Sequence, residues 1–434
     1  MADPVTAAPE EARPEATEAL RPGTLALLRR RDFRLTYGAI ATSELGDAFQ
    51  YIALMWFALE AGGPLGVLAV RLADSVPALL FGFHGGLLAD RLERRRTMIA
   101  ADLVRGAVLV PIAVAGLLGD LPLWGLVLAA FVLTAATSYF DPAYGALLPA
   151  LVDRENVQQA NGLVRATADG LGVGGWGLAA GLLAFMPLSA FFALNAASFF
   201  VAAALLTRTH PQPARTQLEE TTWAQVKAGF GALRLLPVLA AAVAVLGVAI
   251  TIESGTWMVG VPELVRSELG YAAGGFAIVM VGYAVGSISA GLFLARRPLR
   301  RKAFGSLLAW SLYLPAYLLI GLAGSLPVAF AGAICAGLGQ GSAYVLVNSA
   351  AQEQVPDRVL GRVMGLITLV HRGAHATGLM FVSPLFAFVD PRPVFLGAAL
   401  AAPMVGLVGA GAALALTRRG DAARARDWDR SRRS

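Results

Sequence analysis

Apolar and polar positions along this chain alternate in long blocks, not at the period of a half-buried helix or strand. Twelve stretches of mostly apolar residues, near 35–59, 66–89, 98–118, 122–146, 161–185, 188–206, 238–261, 272–295, 303–323, 327–350, 363–388 and 394–416, are cut by charged blocks or Gly/Pro turns. About 20 apolar residues are what a helix needs to cross a hydrocarbon layer, so the pattern predicts an all-α membrane protein with twelve transmembrane helices. A soluble helical protein would need a polar face on each helix and longer polar connections.

The longest polar connection, 207–236, has six stretches on each side, and a repeat is visible across it. Gly86-Leu87-Leu88 followed by Arg94-Arg95-Arg96 is echoed 205 residues later by Gly291-Leu292-Phe293 followed by Arg300-Arg301. Val152-Asp153-Arg154 is echoed about 203 residues later by Val355-Pro356-Asp357-Arg358. Two homologous six-helix bundles, related by an axis along the membrane normal, account for both echoes. The expected organisation is a disordered tail over 1–32, a first bundle over 33–206, a linker over 207–236, a second bundle over 237–416 and a basic tail over 417–434. Residues 1–20 are rich in Ala, Pro and Glu without an apolar run, which reads as a tail and not a secretory signal.

Composition agrees: 57% of the 434 residues are apolar and 15% charged, against about 25% charged in soluble domains. The net charge of +6 does not point to nucleic acid, because 33 of the 35 basic residues are arginines clustered between the apolar stretches. With the N-terminus inside, 29 basic residues fall in inside segments and two, Arg266 and Arg392, outside. The excess of positive charge on cytoplasmic loops therefore places both termini in the cytoplasm of a cell whose plasma (inner) membrane holds the protein. The one cysteine, Cys335, precludes an intrachain disulfide. Neither lysine, Lys227 nor Lys302, follows a glycine, so the phosphate-cradling loop of an ATP-driven pump is missing. No motif asks for a cofactor, and no nucleophile, base and orienting group mark an enzyme.

One run concentrates these features: Gly86-Leu87-Leu88-Ala89-Asp90-Arg91-Leu92-Glu93-Arg94-Arg95-Arg96, where an apolar stretch ends in an acid and then four arginines. It resembles the loop between the second and third helices of the major facilitator superfamily, with Glu93 where that family usually has a second glycine. Ser43 to Asp47, Leu148 to Asp153 with Gln159-Ala160-Asn161, and Val355 to Gly365 are similar to its macrolide-efflux and enterobactin-export branch. Antiporters of the family usually carry a Gly-Pro pair in the fifth helix; here Trp176-Gly177 stands there. The resemblance implies a secondary transporter with a small-molecule substrate, protons and the bilayer as partners, working as a monomer. It also implies a gating motif of Gly86, Asp90, Arg91, Arg94, Arg95 and Arg362, in which Asp90 caps the N-terminus of the eleventh helix near Gly361-Arg362 while the transporter faces outward. The plainer reading makes Asp90 a solvated loop acid and the arginines topological markers.

Charges inside the stretches cost about 2.5–3.5 kcal/mol each on insertion scales and are functional candidates for that reason. Glu44 and Asp47 lie three apart in the first stretch, and Arg71 and Asp74 repeat that spacing in the second. Asp102 and Arg105 lie toward the inner end of the third, and Arg105, Asp141, Arg165 and Asp169, of the third to fifth, are expected to form an inner charge network with the loop motif. Asp47, Glu44, Asp74 and Glu253 are candidates for proton coupling or cavity lining; Glu253 follows Asp47 by 206 residues, close to the repeat offset. Against this, Asp47 pairs with Arg71 or caps a bend. His371 and His375, beside Arg372, are further titrating candidates, but two histidines do not complete a metal shell. Tyr51, Trp56, Trp176, Trp257, Met258 and Tyr344 are candidate cavity walls, and Gly170, Gly174, Gly177, Gly181, Gly282, Gly286 and Gly291 candidate close-packing positions. The expected function is proton-coupled export of a lipophilic drug, antibiotic or siderophore-like molecule, the alternative being a nutrient or lipid uniporter, symporter or flippase.

Overall fold

A computed structural model describes residues 24–89, 93–153, 156–210, 230–297 and 299–431. Nine helices among them are long and apolar enough to cross a membrane. The first of these, Arg31–Pro77, has 47 residues, roughly 70 Å at 1.5 Å per residue and more than twice a ~30 Å hydrocarbon layer. Its parent helix, Arg31–Ala89, is two helices joined by a break at Gly62 (φ −148°, ψ 15°) and Gly63 (φ 60°, ψ −153°). Only glycine adopts the second conformation readily, and Pro64 then starts the return limb without an amide hydrogen to satisfy.

Counting those limbs as α1 (31–61) and α2 (64–89), the chain continues through α3 (Arg94–Leu118), α4 (Leu123–Leu147), α5 (Val157–Leu182) and α6 (Ala190–Thr207). The second group holds α7 (Pro237–Ser267), α8 (Ala273–Arg296), α9 (Lys302–Gly321), α10 (Leu326–Gln354), α11 (Asp357–Phe381) and α12 (Pro391–Ser431). These twelve helices form two six-helix groups, and both ends of the described chain lie on one face, the terminal face; the α1–α2 break lies on the opposite, far face.

The expected limits fail in two places. Helix α7 reaches Ser267, six residues beyond 261, by widening into a π turn at Thr256–Gly260 that absorbs the missing amide hydrogen of Pro262. Helix α11 runs from 357 to 381 and not from 363 to 388, because Pro356 starts it and Pro384 lies in the 3₁₀ turn that follows it. The last membrane-length stretch ends at Leu416 as expected, and α12 continues beyond it as helix to Ser431.

Close packing within the groups rests on particular glycines. A Cβ on Gly286 would stand 2.1 Å from the Ile334 carbonyl oxygen, and one on Gly337 1.9 Å from that of Tyr283, so α8 and α10 touch backbone to backbone. Gly282 meets the Phe330 carbonyl in the same way, whereas nothing lies within 4 Å of Gly170, Gly174, Gly181 or Gly291, and Gly177 has ordinary contact distance to Val281. The tight glycine of α5 is Gly175, whose Cβ would be 2.5 Å from the Ala48 Cβ.

Two apolar cores result. One runs from Phe49, Ile52, Met55 and Leu59 of α1 through α3, α4 and α6 and on into all of the second group. The other, with Phe33, Met98, Phe140, Leu147, Val164 and Leu206, belongs to the terminal-face half of the first group alone. Between the groups, α5 packs on α8, and the α1–α2 pair packs on α7, α8, α11 and the turn after α11.

Replacing Gly286 or Gly337 by Val should lower the thermal midpoint in detergent by an amount corresponding to about 1–3 kcal/mol of overpacking or more, while Gly291→Ala should leave it unchanged or slightly raised. Intrinsic-fluorescence melting of the purified variants checks this.

Candidate functional site

Asp90 and Arg91 lie outside the described residues, as do the side chains of Arg165 and Asp169. Gly86 is in the last turn of α2, Arg362 is half-buried in the second turn of α11, and Arg94, Arg95 and Arg96 form the first turn of α3. Arg94 is buried and donates to the Ala146 carbonyl at 3.0 Å. Arg95 donates through Nε to the Leu206 carbonyl at 2.9 Å and through Nη2 to that of Thr207. The last carbonyls of a helix lack partners within it and carry the negative end of its dipole, so these two arginines cap the ends of α4 and α6. Arg96 pairs with Glu93 at 2.6 Å. Nearby, Arg30 pairs with Asp153 and its guanidinium holds that carboxyl below the usual range, while Asp32 meets His210 at 2.9 Å.

The expected inner network is organised differently. Arg105 of α3 is 5% exposed, pairs with Asp102 (0% exposed) at 2.7 Å, and lies between the rings of Phe140 (4.4 Å) and Phe199 (4.5 Å). Helices α3, α4 and α6 thus build an aromatic box around one cation. Asp47 and Asp141 are within electrostatic reach of Arg105, and Asp141 also of Arg372, but Asp141 is exposed and has no ion pair among the described residues. The i,i+3 spacing of Asp102 and Arg105 is the signal that identifies this pair.

Asp47 pairs with neither Arg71 nor a bend: its Oδ1 accepts from Asn195 Nδ2 of α6 at 2.9 Å. Asn195 also reaches Gln50 and accepts from Ser198 Oγ at 2.8 Å. A Cβ on Gly46 would fall 2.2 Å from Asn195 Oδ1, so the glycine admits α6 to this face of α1. Glu44 lies three residues earlier, partly buried. Asp74 is engaged by its own helix and a neighbour: Arg71 pairs with it at 2.8 Å and Thr134 donates to it. Across the groups, His375 of α11 is in electrostatic reach of Arg71 and Asp74. Its ring lies nearly parallel to that of His371 at 6.4 Å, and His371 meets the edge of Tyr344. No cluster of three or more metal-ligating side chains occurs among the described residues.

Glu253 of α7 is 2% exposed, and among the described residues nothing hydrogen-bonds or ion-pairs with its carboxylate. Tyr51, Tyr283, Tyr313 and Tyr317 are within electrostatic reach of it. Tyr51 is also where the groups meet: its hydroxyl lies 3.1 Å from Met258 Sδ of α7, and its ring is 5.9 Å from Trp176 of α5 and 6.2 Å from Phe276 of α8. Trp257 stacks obliquely on Tyr283 at 4.7 Å. Of the candidate wall residues, Tyr51 joins the groups, its ring against Trp176 of the first and its hydroxyl against the Met258 sulfur of the second. Trp56 is buried and donates to Glu60 at 2.6 Å. Tyr344 stands with the histidines.

A family model described as Major Facilitator Superfamily matches residues 36–379. Proteins named Enterobactin exporter EntS from Shigella boydii serotype 18 (strain CDC 3083-94 / BS512) and Escherichia coli O81 (strain ED1a) are 30% and 31% identical over 326 and 323 residues. Each alignment covers 71% of this chain and 73% of the relative. A bacterial homologue of the human lysosomal transporter Spinster, inward-facing and unoccupied, superposes with a TM-score of 0.63 at 14% identity over 92% of this chain and 98% of that one. A POT family transporter in complex with a thioalcohol-conjugated peptide gives 0.67 at 11% identity over 89% and 98%. At such identities these solved structures share the fold alone.

The buried pair predicts a specific stability pattern. Arg105→Met leaves Asp102 buried and unpaired and should cost about 3–5 kcal/mol, whereas Arg105→Met with Asp102→Leu should recover most of it. Thermal midpoints of the two variants decide.

Proposed function

The chain belongs to the major facilitator superfamily, and from that premise we propose that it exports a lipophilic, siderophore-like small molecule in exchange for protons by alternating access. The bundles over 33–206 and 237–416 are the rocking units. The terminal face is cytoplasmic, the membrane is the plasma (inner) membrane, and one chain suffices.

The observation that carries this reading is the division of the apolar core. The shared core and the Tyr51 contact join the bundles from mid-membrane to the far face, while the terminal-face half of the first bundle packs on itself. That arrangement suits a central site open to the cytoplasm and sealed outside. Export of a siderophore-like cargo draws support from the relatives named enterobactin exporters. Arg94 and Arg95, tying α3 to α4 and α6, make the first bundle a rigid body on the cytoplasmic side, and Asp90 acts as the pin to α11 when the transporter faces outward.

Among the membrane acids, Glu253 is the proton carrier of choice. Asp102 and Asp74 have arginine partners, and Asp47 has Asn195. Among the described residues a charge on Glu253 has no compensating partner, in surroundings where its cost is about 2.5–3.5 kcal/mol. One proton entering through ~150 mV releases roughly 3.5 kcal/mol, enough for a gradient of about 300-fold in a neutral cargo.

Glu253→Gln keeps the side chain's shape and removes the exchangeable proton. In proteoliposomes it should abolish efflux driven by a pH gradient while sparing substrate counterflow. Retained pH-driven efflux in Glu253→Gln, with its loss in Asp47→Asn, would transfer the role to Asp47.

A further inference from the structure

We propose that Arg266 is the far-face latch of this transporter, closing the outer side by binding the free carbonyl end of α1. The inference rests on the alternating-access reading above. Its geometry begins with the Gly62–Gly63 break: a helix that stops leaves its last four carbonyls without internal donors and concentrates the negative end of its dipole there. Leu59 is among those four. Arg266, in the last turn of α7, donates from Nη1 to the Leu59 carbonyl at 3.1 Å, crossing from one bundle to the other.

Arg266 is pre-aimed. Its Nη2 donates to Glu263 Oε2 at 2.9 Å, one turn earlier on the same helix, and the Glu263 side chain is 11% exposed. Glu60, the other charge at this end of α1, is turned to Trp56. The second bundle contains the same device in a fixed form: Arg392 pairs with Glu268 at 2.6 Å and donates to the Ala323 carbonyl at 3.0 Å, just past the end of α9. There it ties elements that move together. Arg266 applies it between elements that must part.

Each described ion pair lies on one side of the linker or at its start, so no described salt bridge competes with this contact in holding the bundles. Its acceptor is a backbone carbonyl, which has no conjugate form that loses the bond with pH. The latch therefore opens by displacement and not by titration of its acceptor.

The test uses the full chain with Cys335→Ser and spin labels on Asp120→Cys and Gly324→Cys, in far-face turns of the two bundles, with distances measured by pulsed electron resonance. Arg266→Met keeps the length and removes the donor. It should raise the far-face-open fraction on the order of tenfold, the worth of one charge-assisted hydrogen bond, with Arg266→Lys between it and the parent. Glu263→Gln leaves the arginine but loosens its aim and should give a smaller rise; it serves if Arg266→Met does not fold as judged by size exclusion. Parent distances that widen during transport while Arg266→Met and Glu263→Gln match the parent at rest would overturn the latch alone. Distances that never widen in the parent during measured transport would overturn alternating access and the latch with it.

Discussion

Hydrocarbon offers no partner to a backbone N–H or C=O, and each group left unsatisfied there costs several kcal/mol. That constraint makes every crossing of this chain a helix and confines irregular backbone to places where something else can serve it. The Gly62–Gly63 break lies at the far face, where the return limb begins with a proline. The π turn of α7 sits inside the bundle, with the Thr256 hydroxyl bonded to the carbonyls of Ile252 and Glu253. The 3₁₀ turn at Trp310–Leu312 places the Ser311 hydroxyl on the Leu308 carbonyl. At the terminal-face ends of α4 and α6, Arg94 and Arg95 from the first turn of α3 take up the last carbonyls.

The same scarcity of partners governs the charged side chains. Arg105 has an aspartate and two aromatic faces, Asp47 an amide network, Asp74 an arginine and a threonine. These arrangements spend polar groups on one another and hold the first bundle in a single shape. Glu253 is treated differently, buried within electrostatic reach of Tyr51, Tyr283, Tyr313 and Tyr317 and without an ion pair among the described residues. In the first bundle Asp47, Asp74 and Arg105 are compensated by neighbours in that bundle, whereas Glu253 of the second is a buried acid without an ion pair among the described residues.

Much of this was legible in the sequence because blocks of arginine between apolar stretches mark crossings directly. The ends of α7 and α11 were not, since they depend on how Pro262, Pro356 and Pro384 are accommodated. The i,i+3 spacing of Asp102 and Arg105 was visible, but the rings of Phe140 and Phe199 come from helices 35 or more positions away. The loop arginines were readable as topology; their targets, the ends of α4 and α6, follow only from packing. Arg266 stood out merely as one of two basic residues on the outer side, although Glu263 three residues before it was the clue that it is held in place. Glycine spacing misled in α5, where Gly175 makes the tight contact and the regularly spaced Gly170, Gly174 and Gly181 do not.

If the bundles are joined from Tyr51 to the far face and apart below it, water enters only from the terminal face and only as far as that residue. Single cysteines placed along α1 from 37 to 59 on a Cys335→Ser background, labelled with a membrane-impermeant thiol reagent from each side, measure this directly. The account predicts reaction from the cytoplasmic side at the cavity-facing positions between 37 and 47, ending at 51, with none from the outside at rest. Resting reactivity from the outside at positions 44 to 51, or reactivity from neither side along the whole helix, would contradict it.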